Sequence, residues 1–148
     1  MKTIILAGGE GTRLGELSKK TPKPLAQIGD LPIIKHIINH YISYKHNEFY
    51  ICVGYLSEMF HNYFNSISHQ ADKVSSYAVK YTLHDSTVWV VETGIRTGTY
   101  GRILRILPYI EADSCFLTYG DGLSNVDMDE LYRSHIENKH LGQYRTEK

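Results

Sequence analysis

Three short segments combine residue types suited to handling an anion. The first, Gly8-Gly9-Glu10-Gly11-Thr12-Arg13, places three glycines just ahead of a threonine and an arginine. Glycines let successive backbone N–H groups converge on one anion at close range, and the arginine adds a planar fork of donors. Phosphate is the natural guest of such a loop, and a plain strand-to-helix turn with a solvent-facing arginine is the other reading. Spacing excludes the two commonest phosphate loops. No lysine follows the glycines, as a P-loop requires, and Leu14 stands where a dinucleotide fingerprint needs its third glycine.

The second segment, Thr21-Pro22-Lys23-Pro24-Leu25, brackets a lysine between two prolines. Fixed φ on either side predicts a stiff, extended stalk for Lys23, which then loses little entropy on meeting a charged substrate. An ordinary exposed lysine in a proline-rich loop is the alternative. In the third, Tyr119-Gly120-Asp121-Gly122, the chain leaves an apolar run with an aspartate between two glycines. A carboxylate facing phosphates suits Mg²⁺, which takes one or two carboxylates together with phosphate oxygens and water. A turn or helix-cap aspartate competes with that reading.

The elements that must position these segments follow from hydrophobic periodicity. Thr3 to Ala7 is a short continuous apolar run, expected as a strand buried on both faces. Ile33, Ile34, Ile37, Ile38, Tyr41 and Ile42 recur at helical spacing after Pro32, which fits the first turn of a helix. Glu48 to Tyr55 reads as a second buried strand, and Met59, Phe60, Tyr63, Phe64 and Ile67 as a second helical stripe. Val79 to Leu83, Thr87 to Val91 and Cys115 to Tyr119 read as further strands, with a helix over Gly101 to Ile110. Asp127, with Glu130 three residues on, resembles a capping box that opens a last helix. Strands alternating with helices predict a mostly parallel sheet, with ligands at the carboxyl ends of its strands.

Composition bounds what such a chain can bind. Its 148 residues fit one domain, and 16 basic residues balance 16 acidic ones. A neutral chain has no general attraction to nucleic acid or acidic lipid, so any anion must be held locally. Cys52 and Cys115 lie in separate apolar runs and are expected to pack as small hydrophobes. His36 and His40 have i, i+4 spacing but no nearby acid, and read as the polar shoulder of a helix. Trp89 is expected in the core. No run reaches the roughly twenty apolar residues of a membrane span, and the N-terminus lacks a signal-peptide pattern, so a cytoplasmic location is expected.

Taken together, the three segments resemble the nucleotidyltransferases that activate sugar 1-phosphates with nucleoside triphosphates. The combination of G-G-x-G-T-R-L with a downstream P-K-P is specific. "ICVGY", "VVETG", "GRILRI" and "FLTYGDGLSNVD" are most similar to the glucose-1-phosphate cytidylyltransferase branch, and the resemblance runs from Met1 to about His140. It implies an α/β fold with a three-layer, Rossmann-like, mostly parallel sheet. It also implies Mg²⁺-dependent transfer from CTP to glucose 1-phosphate, giving a nucleotide sugar and pyrophosphate. Carried over by residue, the backbone of Leu6, Ala7, Gly8, Gly9, Glu10, Gly11, Thr12 and Arg13 would cradle base and triphosphate, with Arg13 on the departing pyrophosphate. Lys23 would steady the α-phosphate region and the sugar phosphate. Thr97 and Arg102 would contact the nucleotide, Gly120 would approach it, and Asp121 would ligate Mg²⁺.

The chain departs from the branch in carrying Tyr100 where the first glycine of G-G-R usually stands. It also ends before the second metal-binding aspartate of the family, since Asp127 and Asp129 read as the start of a helix. Residues 1–148 are therefore expected to form the nucleotide-binding N-terminal part of a truncated nucleotidyltransferase domain, with no second domain. Self-association is expected if the remainder normally covers apolar surface. The alternatives are a catalytically weak nucleotide-binding or assembly module, or a family member acting on a different phosphorylated acceptor.

Overall fold

The computed structural model describes residues 1–10 and 20–138. Strand β1 (Lys2–Leu6) has Ile4, Ile5 and Leu6 buried on both of its faces, as its unbroken apolar run demands. A short 3₁₀ turn at Lys23–Leu25 and a small hairpin, β2 (Gln27–Ile28) with β3 (Leu31–Pro32), lead into helix α1 (Ile33–Ser43). Pro32 sits just ahead of the helix in extended conformation rather than inside its first turn.

Strand β4 (Glu48–Val53) and helix α2 (Ser57–Ile67) follow. Then come β5 (Gln70–Lys73), β6 (Ala78–Thr82) and β7 (Thr87–Glu92). Helix α3 (Thr99–Ile106) closes through a 3₁₀ turn at Leu107–Tyr109, and β8 (Cys115–Tyr119) and α4 (Met128–Asn138) complete the described chain. The N-terminal cap expected of α4 is present, with the Glu130 amide donating to Asp127 Oδ1 at 2.9 Å.

Six strands form one sheet in the order β5-β6-β7-β4-β1-β8. β7, β4, β1 and β8 are parallel, whereas β6 is antiparallel to both β5 and β7. Successive crossovers move outward from β1 to β4 to β7, and the chain then returns to place β8 on the other side of β1. The point where strand order reverses therefore lies between β1 and β8, which is where open α/β sheets bind ligands.

Alternation along the strands sends side chains into two cores. On one face Ile5, Phe49, Ile51, Val53, Val88 and Val90 pack against Ile34, Ile37 and Ile38 of α1 and Phe60 and Phe64 of α2. On the other, Ile4, Leu6, Tyr50, Cys52 and Val91 meet Ile106 of α3. Burying one such side chain contributes about 1.5–3 kcal/mol, so these stripes hold the helices to the sheet. Trp89 is only half-buried and stacks on Tyr50, with ring centroids 5.5 Å apart.

The expectation that both thiols pack as small hydrophobes fails at one of them. Cys115 is exposed, because β8 pairs only with β1 among the described residues and turns this thiol toward solvent. His36 and His40 do sit on the polar side of α1, where their Nε2 atoms lie 2.8 and 2.9 Å from the carbonyls of Ile28 and Val126.

Candidate functional site

A cavity of about 330 Å³ opens at the carboxyl ends of β1 and β8, at the strand-order reversal. Leu6, Ala7, Gly8 and Gly9 form one wall, Lys23 and Asp121 a second, and Thr97 and Arg102 a third. The structure thus brings together eight of the residues singled out from sequence. Gly11, Thr12 and Arg13 lie outside the described residues, and Glu10 is exposed beyond the cavity wall.

Arg102 is the anchor of this end of the sheet. It projects from α3 and is only 5 % exposed. Nη1 donates to Thr93 Oγ1 at 2.6 Å and to the Val53 carbonyl at 3.3 Å. Nη2 donates to the carbonyls of Gly8 at 2.8 Å and Ile95 at 3.3 Å. One guanidinium thereby ties the ends of β1, β4 and β7 together. Sequence reasoning expects Arg102 on the nucleotide. Here its terminal nitrogens hold the loops that line the cavity, and its charge reaches the cavity from the floor.

Burial draws the Arg102 guanidinium below its ordinary value, Cys52 opposes that shift and neighbouring Arg105 adds to it. No carboxylate pairs with Arg102 among the described residues, so carbonyl dipoles and the Thr93 hydroxyl balance the cation. Cys52 lies nearby, and burial pushes its thiol up to about 12 against the opposing charge of Arg102, which leaves it a neutral hydrophobe.

Close approach requires glycine at residue 8 and leaves little room for a side chain at residue 120. A Cβ on Gly8 would stand 1.8 Å from Arg102 Nη1, so a side chain there would expel the arginine. A Cβ on Gly120 would meet Pro24 Cγ at 3.1 Å and the Ala7 Cβ at 3.2 Å. Gly120 is buried and lets the Pro-Lys-Pro turn lie against the end of β8. The expected extended stalk at Lys23 is a 3₁₀ turn instead. Pro22 is extended, but Leu25 then donates to the Pro22 carbonyl at 2.8 Å, and Pro24 sits early in the turn, where a missing N–H costs nothing.

That turn sets Lys23 Nζ 2.8 Å from Asp121 Oδ2. The two residues come from segments 98 positions apart, and their meeting was not readable from sequence. Thr93 and Arg105 were also missed. Arg105 donates through Nη1 to the Thr93 carbonyl and to Thr97 Oγ1, the latter at 2.8 Å, and so fixes Thr97 at the cavity wall. The available signal was its position three residues after Arg102, on the same face of a helix.

The fold is an open, Rossmann-like α/β sheet, with a glycine-lined cavity above a buried arginine at its strand-order reversal, the place where such sheets hold ligands. The chain belongs to the nucleotidyl transferase family, whose model matches residues 2–146. It is 40% identical over 141 residues to a probable glucose-1-phosphate cytidylyltransferase of Bacillus subtilis. It is 39% identical over 144 residues to the glucose-1-phosphate cytidylyltransferase of Salmonella typhimurium. Each match covers 91% of this chain and 56% of the relative, so the chain spans just over half the length of these curated relatives.

Two solved structures share its fold. HddC from Yersinia pseudotuberculosis, complexed with GMP-PN, superposes with TM-score 0.69 at 22% identity, over 92% of this chain and 54% of that one. A UDP-glucose pyrophosphorylase complexed with UDP-glucose gives TM-score 0.70 at 16% identity, over 93% and 54%. Among the described residues no helix is long and apolar enough to cross a membrane.

Proposed function

We propose that this chain binds a nucleoside triphosphate, with CTP favoured, and serves Mg²⁺-dependent transfer of its nucleotidyl group to a sugar 1-phosphate, with glucose 1-phosphate favoured, giving a nucleotide sugar and pyrophosphate. The observation that carries the reading is the cavity between β1 and β8. There the Ala7–Gly9 backbone, the Lys23–Asp121 pair and a buried arginine with no described counter-ion surround one space. An anion entering it supplies the charge that Arg102 lacks. Kinship to two cytidylyltransferases supports the choice of base and acceptor.

The chemistry is a substitution at phosphorus. A phosphate oxygen of the sugar 1-phosphate attacks the α-phosphorus in line. The new P–O bond forms as the α–β bridge breaks, and pyrophosphate departs with the bonding electron pair. No protein nucleophile is required, because positioning and charge neutralisation lower the barrier. Lys23 would meet the α-phosphate and the sugar phosphate, Arg13 the departing pyrophosphate and Thr97 the nucleotide.

The donor set at Asp121 fits Mg²⁺. It offers one hard carboxylate at a strand end beside a cavity suited to phosphate, and no cluster of three ligating side chains is present among the described residues. When bound, the metal neutralises phosphate charge. In the free chain Lys23 occupies Asp121, so the carboxylate is released as a phosphate takes the lysine. The reaction implies a cytoplasmic location, where nucleoside triphosphates are made.

Pyrophosphate release tests the reading, measured with each nucleoside triphosphate, glucose 1-phosphate and Mg²⁺. CTP is expected to give the fastest release. Arg13→Ala and Asp121→Asn are each expected to lower it by about a hundredfold or more with the fold intact. CTP binding without release would instead favour a nucleotide-binding module, a second reading supported by the chain's spanning just over half of its relatives.

A further inference from the structure

A second cavity, larger at about 460 Å³, lies on the α3 side of the sheet near the carboxyl end of β7. Its volume falls in the range of small-molecule sites. Val91, almost fully buried, forms its floor, and two tyrosines from different elements line it. Tyr109 follows α3 and is fixed by a 2.8 Å hydrogen bond between its hydroxyl and Ser75 Oγ, and by Trp89, whose ring lies 6.1 Å away. Tyr77 stands on the β5–β6 connection and is 66 % exposed, while its carbonyl is tied to the Glu92 amide at 2.7 Å.

The charge in this space comes from Arg105. Glu92 also borders the cavity, but strand alternation turns its side chain to the opposite face from Val91. There its carboxylate lies 3.2 Å from His61 Nε2 on α2. Among the described residues Arg105 makes its hydrogen bonds through Nη1, to the Thr93 carbonyl and Thr97 Oγ1, leaving Nη2 and Nε for a ligand. Two aromatic rings and a half-engaged guanidinium recognise a flat or hydroxylated ring that carries an anionic group.

We propose that this second cavity binds a small phosphate ester carried on a ring, and that Arg105 couples its occupancy to the first cavity. The ring packs on Tyr77 and Tyr109 and the phosphate meets the free side of Arg105. The same guanidinium holds Thr97, which lines the first cavity, and the Thr93 carbonyl, whose residue also binds Arg102. A phosphate that draws on Arg105 therefore changes the restraint on Thr97. By linkage, a ligand in either cavity then alters affinity for the other. Binding in the second cavity does not require transfer to occur in the first.

Titration of the isotopically labelled chain with glucose 6-phosphate, cytidine 5′-monophosphate or inorganic phosphate, followed by amide NMR, tests this. At least one of the two esters is expected to shift the Tyr77, Gly94 and Arg105 amides saturably and more tightly than inorganic phosphate. The two esters distinguish a sugar from a base as the ring. Tyr77→Ala, at an exposed position that the fold tolerates, is expected to weaken that binding about tenfold while leaving CTP affinity, read at the Gly9 amide, unchanged. Saturation by the ester is expected to change the CTP dissociation constant by about fivefold, and Arg105→Ala to abolish that change.

Shifts confined to Gly8 and Gly9, inorganic phosphate binding as tightly as either ester, or indifference to Tyr77→Ala would each overturn the site. An unchanged CTP constant would overturn the coupling. Failure of CTP to perturb Gly9 at all bears on the first cavity, and the Tyr77 and Gly94 shifts are read independently of it.

Discussion

Lys23 and Asp121 lie 2.8 Å apart with each side chain 39 % exposed, and that exposure decides what the pair can do. An ion pair open to solvent contributes about 0–1 kcal/mol, too little to explain a turn held by two prolines as a device for stability. Lys23→Ala is therefore expected to change the unfolding free energy in urea by less than about 1 kcal/mol. It is expected to lower pyrophosphate release by about a hundredfold. The same variant frees Asp121, so Mn²⁺ in the absence of nucleotide should bind it more tightly than the parent chain, as read by electron paramagnetic resonance. A loss of several kcal/mol in stability, or unchanged release, would contradict this division of roles. The role of Arg102 was the least legible from sequence. Its motif position suggests a ligand contact, but its acceptors are the Thr93 hydroxyl and the carbonyls of residues 8, 53 and 95, which converge only in the folded chain.

At the scale of elements, pH reports on how β1, β4 and β8 are joined at their amino-terminal ends. His46 lies between α1 and β4 and packs on Phe116 of β8, with ring centroids 5.0 Å apart. The Met1 ammonium donates to its Nδ1 at 3.1 Å, which requires that nitrogen to be unprotonated. Burial lowers the His46 pKa below 6.5, the N-terminal charge lowers it further, and Asp129 opposes them. The folded state thus prefers neutral His46. Its contribution is complete above the unfolded value and is lost as pH falls from 6.5 through the lowered folded value. The unfolding free energy should decline over that window, and His46→Gln should flatten the decline. An identical pH profile in the variant would refute the assignment.

Element type was readable wherever side chains met a core. The apolar runs of β1, β4 and β7 and the isoleucine stripe of α1 are local consequences of burial. Strand β5 was not readable, because all four of its residues are exposed and it pairs with β6 alone among the described residues. Nor did the sequence reveal that β6 runs antiparallel, since orientation is set by pairing with distant residues.

For the whole molecule, the sheet ends on β8, whose outer edge has no strand beside it among the described residues. Register places Leu117 beside Ile4 and Tyr119 beside Leu6, on the same face as the smaller core. Yet Leu117 is 50 % and Tyr119 60 % exposed, because α3 covers that face only as far as its contacts through Ile106. An open strand edge flanked by apolar side chains is a template for pairing. The 148-residue chain is therefore expected to self-associate, with a sedimentation coefficient that rises with concentration. Leu117→Lys keeps the backbone edge but removes apolar area and adds like charge. Losing the burial of one leucine, about 1.5–3 kcal/mol, should weaken association by about tenfold or more. CTP binding should be unaffected, since Leu117 does not line the first cavity. A single monomeric species at every concentration would show instead that β8 tolerates its open edge, and equal association by Leu117→Lys would place the contact on another face.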